Sequence, residues 1–137
     1  MNVPLPANRD KNEKIHLVIL DDVDSIREVM NLFFEQHGQF IVRLAKTGAQ
    51  AIRIAEQERV DVLMSDLDRP DEDAFEFLRV FKQRFPSARM IVFSGFPDAE
   101  DSVKGLSVSL TVLKRNEMDM EDFAKQVARV AESASTH

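Results

Sequence analysis

Five polar side chains stand where hydrophobic runs stop. Asp21 and Asp22 follow Ile15-His16-Leu17-Val18-Ile19-Leu20, and Asp66 follows Val60-Asp61-Val62-Leu63-Met64-Ser65. Ser94 follows Met90-Ile91-Val92-Phe93, and Lys114 closes Leu110-Thr111-Val112-Leu113. Short apolar runs set between helical patterns read as buried parallel strands. In an open α/β sheet, ligands bind just outside the carboxyl ends of such strands. Three carboxylates, a hydroxyl and an ammonium are therefore expected in one crevice, a set suited to a divalent cation and a phosphoryl group. Mg²⁺ takes oxygen ligands in a near-octahedral shell and needs only one or two carboxylates beside phosphate oxygens and water. A carboxylate can also attack phosphorus and form an acyl phosphate. Asp66, after the central third run, is the expected nucleophile. Ser94 could donate to a phosphoryl oxygen, and Lys114 could contact it as a point charge. Taken singly, an Asp or Ser after a strand is most often a turn former. Only the convergence of all five carries weight.

Those residues need a scaffold, and the rest of the chain predicts one. Residues 15–20 form a first strand. A helix follows, with Asp24 or Ser25 as N-cap, Ile26, Val29, Met30, Phe33 and Phe34 inward, and Gly38 as the stop after His37. Residues 39–44 form a second strand. Thr47 or Gly48 opens a helix that turns Ala51, Ile52 and Ala55 inward, and residues 60–65 form the third strand. Asp73 caps the next helix, with Glu76 completing a capping box and Phe75, Leu78, Val80 and Phe81 as its apolar residues. Pro86 ends that helix before a strand at 89–93. Gly95 to Ser109, with its glycines, Pro97 and serines, encodes a helix only weakly. Residues 110–113 are the fifth strand, and Asn116 caps a last helix with Met120, Phe123, Val127 and Val130 inward. Five βα units imply one parallel sheet covered by helices on both faces.

The 137 residues suit one domain, with a polar tail at 1–14, a folded unit at 15–132 and a short tail at 133–137. The chain has no cysteine, which excludes disulfides and thiolate metal sites. No signal peptide or membrane span is evident, so a cytoplasmic protein without membrane insertion is expected. The net charge is −6, and the basic residues are scattered, so no nucleic-acid partner is expected. His16, His37 and His137 are too dispersed to form a metal cluster. All ten aromatic residues are Phe, which favours core packing.

The motifs "VILDDVDSIRE", "VDVLMSDLDRPDEDAFEFL", "MIVFSGF" and "LTVLKRN" together resemble the receiver domain of two-component response regulators. The resemblance covers roughly residues 14–132. It implies a flavodoxin-like (βα)5 doubly wound parallel sheet with strand order 2-1-3-4-5. Asp66 would then be the phosphoacceptor. Asp21, Asp22 and Asp66 would hold Mg²⁺ with the backbone carbonyl of Asp68, and Ser94 and Lys114 would bind the phosphoryl oxygens. A sensor histidine kinase or histidine phosphotransfer protein would supply the phosphoryl group, and a downstream protein target would read it. Such a receiver catalyses its own phosphorylation and dephosphorylation and is not a turnover enzyme on an external substrate. A stand-alone receiver, signalling through protein contacts or a phosphorelay, is the expectation.

Several positions depart from the family pattern. Its Met-Pro after the acceptor is Arg69-Pro70, and its Asp-Gly at the third helix is Asp73-Ala74. The aromatic switch position that works with Ser94 is Thr111, too small to repeat an aromatic swing. Its Lys-Pro is Lys114-Arg115, for which a trans peptide is expected because a non-prolyl cis bond costs about 2.5–4 kcal/mol. These changes favour altered output over lost phosphorylation. One alternative is a binding module of the same fold that acts without phosphorylation. Another is an Asp-nucleophile phosphatase of the haloacid-dehalogenase type, suggested by Asp66-Leu67-Asp68. In that family, however, the motif follows the first strand. Oligomeric state is left open.

Overall fold

The computed structural model describes residues 13–67, 73–94, 111–114 and 119–133. The elements are β1 (Ile15–Leu20), α1 (Asp24–Gln36), β2 (Phe40–Ala45), α2 (Gly48–Gln57), β3 (Val62–Ser65), α3 (Ala74–Arg84), β4 (Arg89–Ser94), β5 (Thr111–Lys114) and α4 (Met120–Ser133). All strand pairs are parallel, in the order β2-β1-β3-β4-β5. The parallel sheet is the one the βα alternation predicts, and its order is the one the resemblance to receiver domains implies.

Alternation along each strand sends neighbouring residues to opposite faces of the sheet. On one face Ile15, Leu17, Ile19, Val62, Met64, Ile91 and Phe93 pack with Met30 and Phe34 of α1 and with Phe123, Val127 and Ala131 of α4. On the other, Val18, Leu20, Leu63, Met90 and Val92 pack with Ala51 and Ala55 of α2 and with Phe77, Leu78 and Phe81 of α3. Both faces are covered, which is why β1 and β3 are almost continuously apolar. Phe123 sits edge-on between Phe34 and Phe93, with ring centroids 5.9 and 4.4 Å away, and so joins α1 and β4 to α4.

Local details correct several expectations. β2 lies one residue later than expected, β3 begins at Val62 rather than Val60, and β5 extends to Lys114 rather than stopping at Leu113. The α1 N-cap is Val23, with neither Asp24 nor Ser25 in that place. Asp24 lies inside the first turn and pairs with Arg27, while Asp21 Oδ1 accepts the Val23 N–H at 2.8 Å. Val29 is 59 % exposed, because the inward stripe of α1 runs through Ile26, Met30, Phe33 and Phe34. Thr47 caps α2 by accepting the Gln50 N–H, as expected. Asp73 accepts the Glu76 N–H at 3.1 Å, but the Glu76 carboxylate turns to Arg79, so the capping box is only half formed. Phe77, not singled out from sequence, is buried, while Phe75 packs only partly.

α4 begins at Met120 with Asp119 accepting the Asp122 N–H at 2.9 Å, so Asp119 caps it; Asn116 lies outside the described residues. Gly38 takes φ +68° after the His37 C-cap, a left-handed residue at the place predicted for the stop. The weakly encoded stretch 95–109 also lies outside the described residues. So does the Lys114–Arg115 peptide.

Candidate functional site

Parallel pairing brings the acids together. The Asp21 N–H donates to Ala45 O at 3.1 Å, and the Asp66 N–H donates to Leu20 O at 3.1 Å. Asp66 is therefore tied to the residue before Asp21, one strand over. The carboxylates of Asp21, Asp22 and Asp66 each offer an oxygen, and these oxygens lie within 4.8 Å of one another. Asp21 and Asp66 are buried and Asp22 is partly exposed, so the group opens outward on the Asp22 side. Asp21 and Asp66 also line a cavity of about 10 Å³, together with Met30, Met64 and Phe93 among others.

Three further contacts shape the group, and none was singled out from sequence. Arg27 Nη1 donates to the Asp21 carbonyl at 2.6 Å. The Val23 N–H donates to the Asp21 carboxylate. The buried Ser65 hydroxyl donates to the Asp66 carbonyl at 3.0 Å. Arg27 looked like one of many scattered cations, and only its place in the first turn of α1, six residues after Asp21, could have hinted at the contact.

Ser94 and Lys114 are register partners at the carboxyl ends of β4 and β5. Their backbones share the sheet edge with the acids. Thr111 pairs with Ile91 at the start of β5. Asp68 lies outside the described residues.

Three carboxylate oxygens within one small radius repel one another and favour a bound cation. The donor set is all oxygen, which suits Mg²⁺, Ca²⁺ or Mn²⁺ better than the softer metals that take His or Cys. The residues present therefore fit a hard divalent ion. A larger cleft of about 360 Å³ between the end of α1 and α4 is lined by His37, Gln39, Glu121, Lys125, Arg129 and Glu132 among others. It contains none of the three converging acids. Chemistry rather than size marks the site.

The sequence model of the response regulator receiver domain matches residues 17–127. The chain belongs to the response regulator receiver domain family. The receiver is 26 % identical over 110 residues to the uncharacterized transcriptional regulatory protein YhcZ of Bacillus subtilis (strain 168), covering 80 % of this chain and 51 % of that protein. It spans about half the length, or less, of the first curated relatives it matches.

Among solved structures, a CheY-like receiver domain protein from Methanospirillum hungatei JF-1 superposes with a TM-score of 0.79 at 19 % identity, over 90 % of this chain and 98 % of that one. The response regulator TrrA of Thermotoga maritima, solved in complex with Mg²⁺ and BeF, matches with a TM-score of 0.71 at 16 % identity, over 85 % of this receiver and 98 % of that chain. At these identities the two structures speak for the fold. Among the described residues, no helix is long and apolar enough to cross a membrane.

Proposed function

We propose that this receiver accepts a phosphoryl group on Asp66 from a histidine kinase or histidine phosphotransfer protein, with Mg²⁺ held by Asp21, Asp22, Asp66 and the Asp68 carbonyl. The observation behind this reading is the convergence of the three carboxylates at the carboxyl end of the central strands. An Asp66 carboxylate oxygen forms the new P–O bond as the P–N bond of the donor phosphohistidine breaks, and the departing imidazole takes up a proton. When bound, Mg²⁺ would supply positive charge that offsets the repulsion between the acids and the phosphoryl oxygens. Lys114 and Ser94, at the neighbouring strand ends, serve the remaining phosphoryl oxygens. The site acts on the receiver itself, with no external substrate turned over. We place this exchange in the cytoplasm, with a protein target reading the phosphorylated form.

The test is intact mass after incubation with Mg²⁺ and acetyl phosphate, for wild type and Asp66→Asn. A Mg²⁺-dependent gain of one phosphoryl group, absent from Asp66→Asn, is expected. A gain that persists in the variant would remove Asp66 as acceptor. No gain in wild type would favour a receiver-fold binding module acting without phosphorylation, consistent with Thr111 at the aromatic switch position.

A further inference from the structure

Asp22 raises a physical question that its own contacts do not answer. Its carboxylate lies within reach of two others, yet it makes no hydrogen bond or ion pair among the described residues. It is also the most exposed of the three acids. Mutual repulsion should swing it outward unless the backbone sets its direction. The backbone there is set by Arg27. This side chain, only 14 % exposed, spans two acceptors: Nη1 donates to the Asp21 carbonyl at 2.6 Å, and Nη2 pairs with the Asp24 carboxylate. The Asp21 carbonyl belongs to the Asp21–Asp22 peptide, which is planar. Fixing that oxygen therefore fixes the plane from which the Asp22 Cα and side chain depart. The Asp21 N–H bond to Ala45 O and the Val23 N–H bond to Asp21 Oδ1 hold the two sides of the same turn.

We propose that Arg27 is a positioning residue that aims Asp22 into the divalent-cation group by clamping the Asp21–Asp22 peptide. The inference rests on the reading of Asp21, Asp22 and Asp66 as a Mg²⁺ site.

The sign of the effect separates this role from a simple charge effect. Arg27 is a cation beside a cation site. If it acted only through its charge, removing it would tighten Mg²⁺ binding. If it positions Asp22, removing it weakens binding. Loss of a residue that orients a metal ligand typically costs about 10–100-fold in affinity.

The experiment is an NMR titration of the isotope-labelled full chain with MgCl₂, following the Asp22 and Val23 amides. Wild type, Arg27→Ala, Arg27→Lys and Asp24→Ala are compared, each checked for folding by urea denaturation. Arg27→Ala is expected to weaken Mg²⁺ binding about tenfold while remaining folded. Arg27→Lys should recover part of the loss, because an ammonium can still reach one carbonyl. Asp24→Ala, which leaves the Asp21 contact in place, should bind within about twofold of wild type.

Unchanged or tighter binding by Arg27→Ala overturns the proposal, and should that variant not fold, full affinity in Arg27→Lys does the same. If wild type shows no Mg²⁺ response at all, the metal reading itself fails and this inference with it. Normal wild-type binding with no Arg27 effect overturns the inference alone.

Discussion

Asp61 accepts the His16 N–H at 2.8 Å through Oδ2, so a fully buried carboxylate joins the entry of β3 to β1. Its other oxygen takes Arg59 Nε at 2.9 Å. Its backbone adds bonds to His16 O and from the Arg89 N–H, so one residue links the lower ends of three strands. Removing the carboxylate would take the acceptor from the His16 backbone N–H and from Arg59 Nε, leaving Glu13 to hold that guanidinium alone. Asp61→Ala is expected to lower stability by about 3–5 kcal/mol, read from urea unfolding. A loss under about 1 kcal/mol would mean that water replaces the carboxylate without penalty.

His16 links this edge to pH. Burial holds its imidazole below the ordinary value near 6.5; Asp61 and Glu58 oppose that shift, while Arg59 and Arg43 add to it. The unfolded chain therefore takes up the proton first as pH falls. This contribution to stability is full above the ordinary value and is lost as pH drops from there toward the lowered folded value. Urea midpoints measured between about pH 7.5 and about pH 5.5 should decline in wild type and decline less in His16→Gln. Parallel curves would rule His16 out as the source.

Gly38 isolates a backbone effect. A Cβ added there meets nothing within 4 Å, yet φ is +68°. Gly38→Ala should cost about 1–2 kcal/mol through conformation alone. Gly38→Asn should cost less, because Asn tolerates the left-handed region better. Equal stability of all three proteins would show that the α1–β2 turn adjusts freely.

Lys114 tests the second half of the site. It pairs in register with Ser94 at the edge that carries the acids. Lys114→Ala is expected to slow acetyl-phosphate labelling of Asp66 about a hundredfold, the scale for losing one transition-state donor, with the urea midpoint unchanged. Labelling at the wild-type rate would remove Lys114 from the reaction.

The parallel sheet and the grouping of Asp21, Asp22 and Asp66 were legible because both follow from where apolar runs end, whereas the strand order came from the resemblance to receiver domains. A residue that closes a parallel strand has little choice of edge. Other features depend on information that one-dimensional patterning lacks. Val29 reads as apolar and inward, but the helical stripe passes it by. Asp24 reads as a cap, but Arg27 claims its carboxylate and Asp21 supplies the turn. Asp61 is concealed inside the run Val60–Ser65, because its partners are a distant backbone amide and the side chain of Arg59. Arg27 was missed for a related reason, since its main acceptor is a carbonyl, which every residue has. The one-residue shift of β2 reflects pairing register, which composition encodes weakly.

The strand order also constrains how this protein can be born. β1 is an interior strand whose two neighbours come from very different distances along the chain, and His16 and Asp61 are 45 positions apart. During synthesis, β1 can pair with β2 early but must keep its other edge open until β3 emerges. An open apolar edge is prone to mispairing, and closing long loops is slow. Asp66 is the last of the three acids to be made, so the charged cluster assembles only after that edge has closed. A nascent chain ending before β3 thus combines an exposed strand with an incomplete acid group. Translation pausing in that interval would be the point at which this receiver most needs a chaperone.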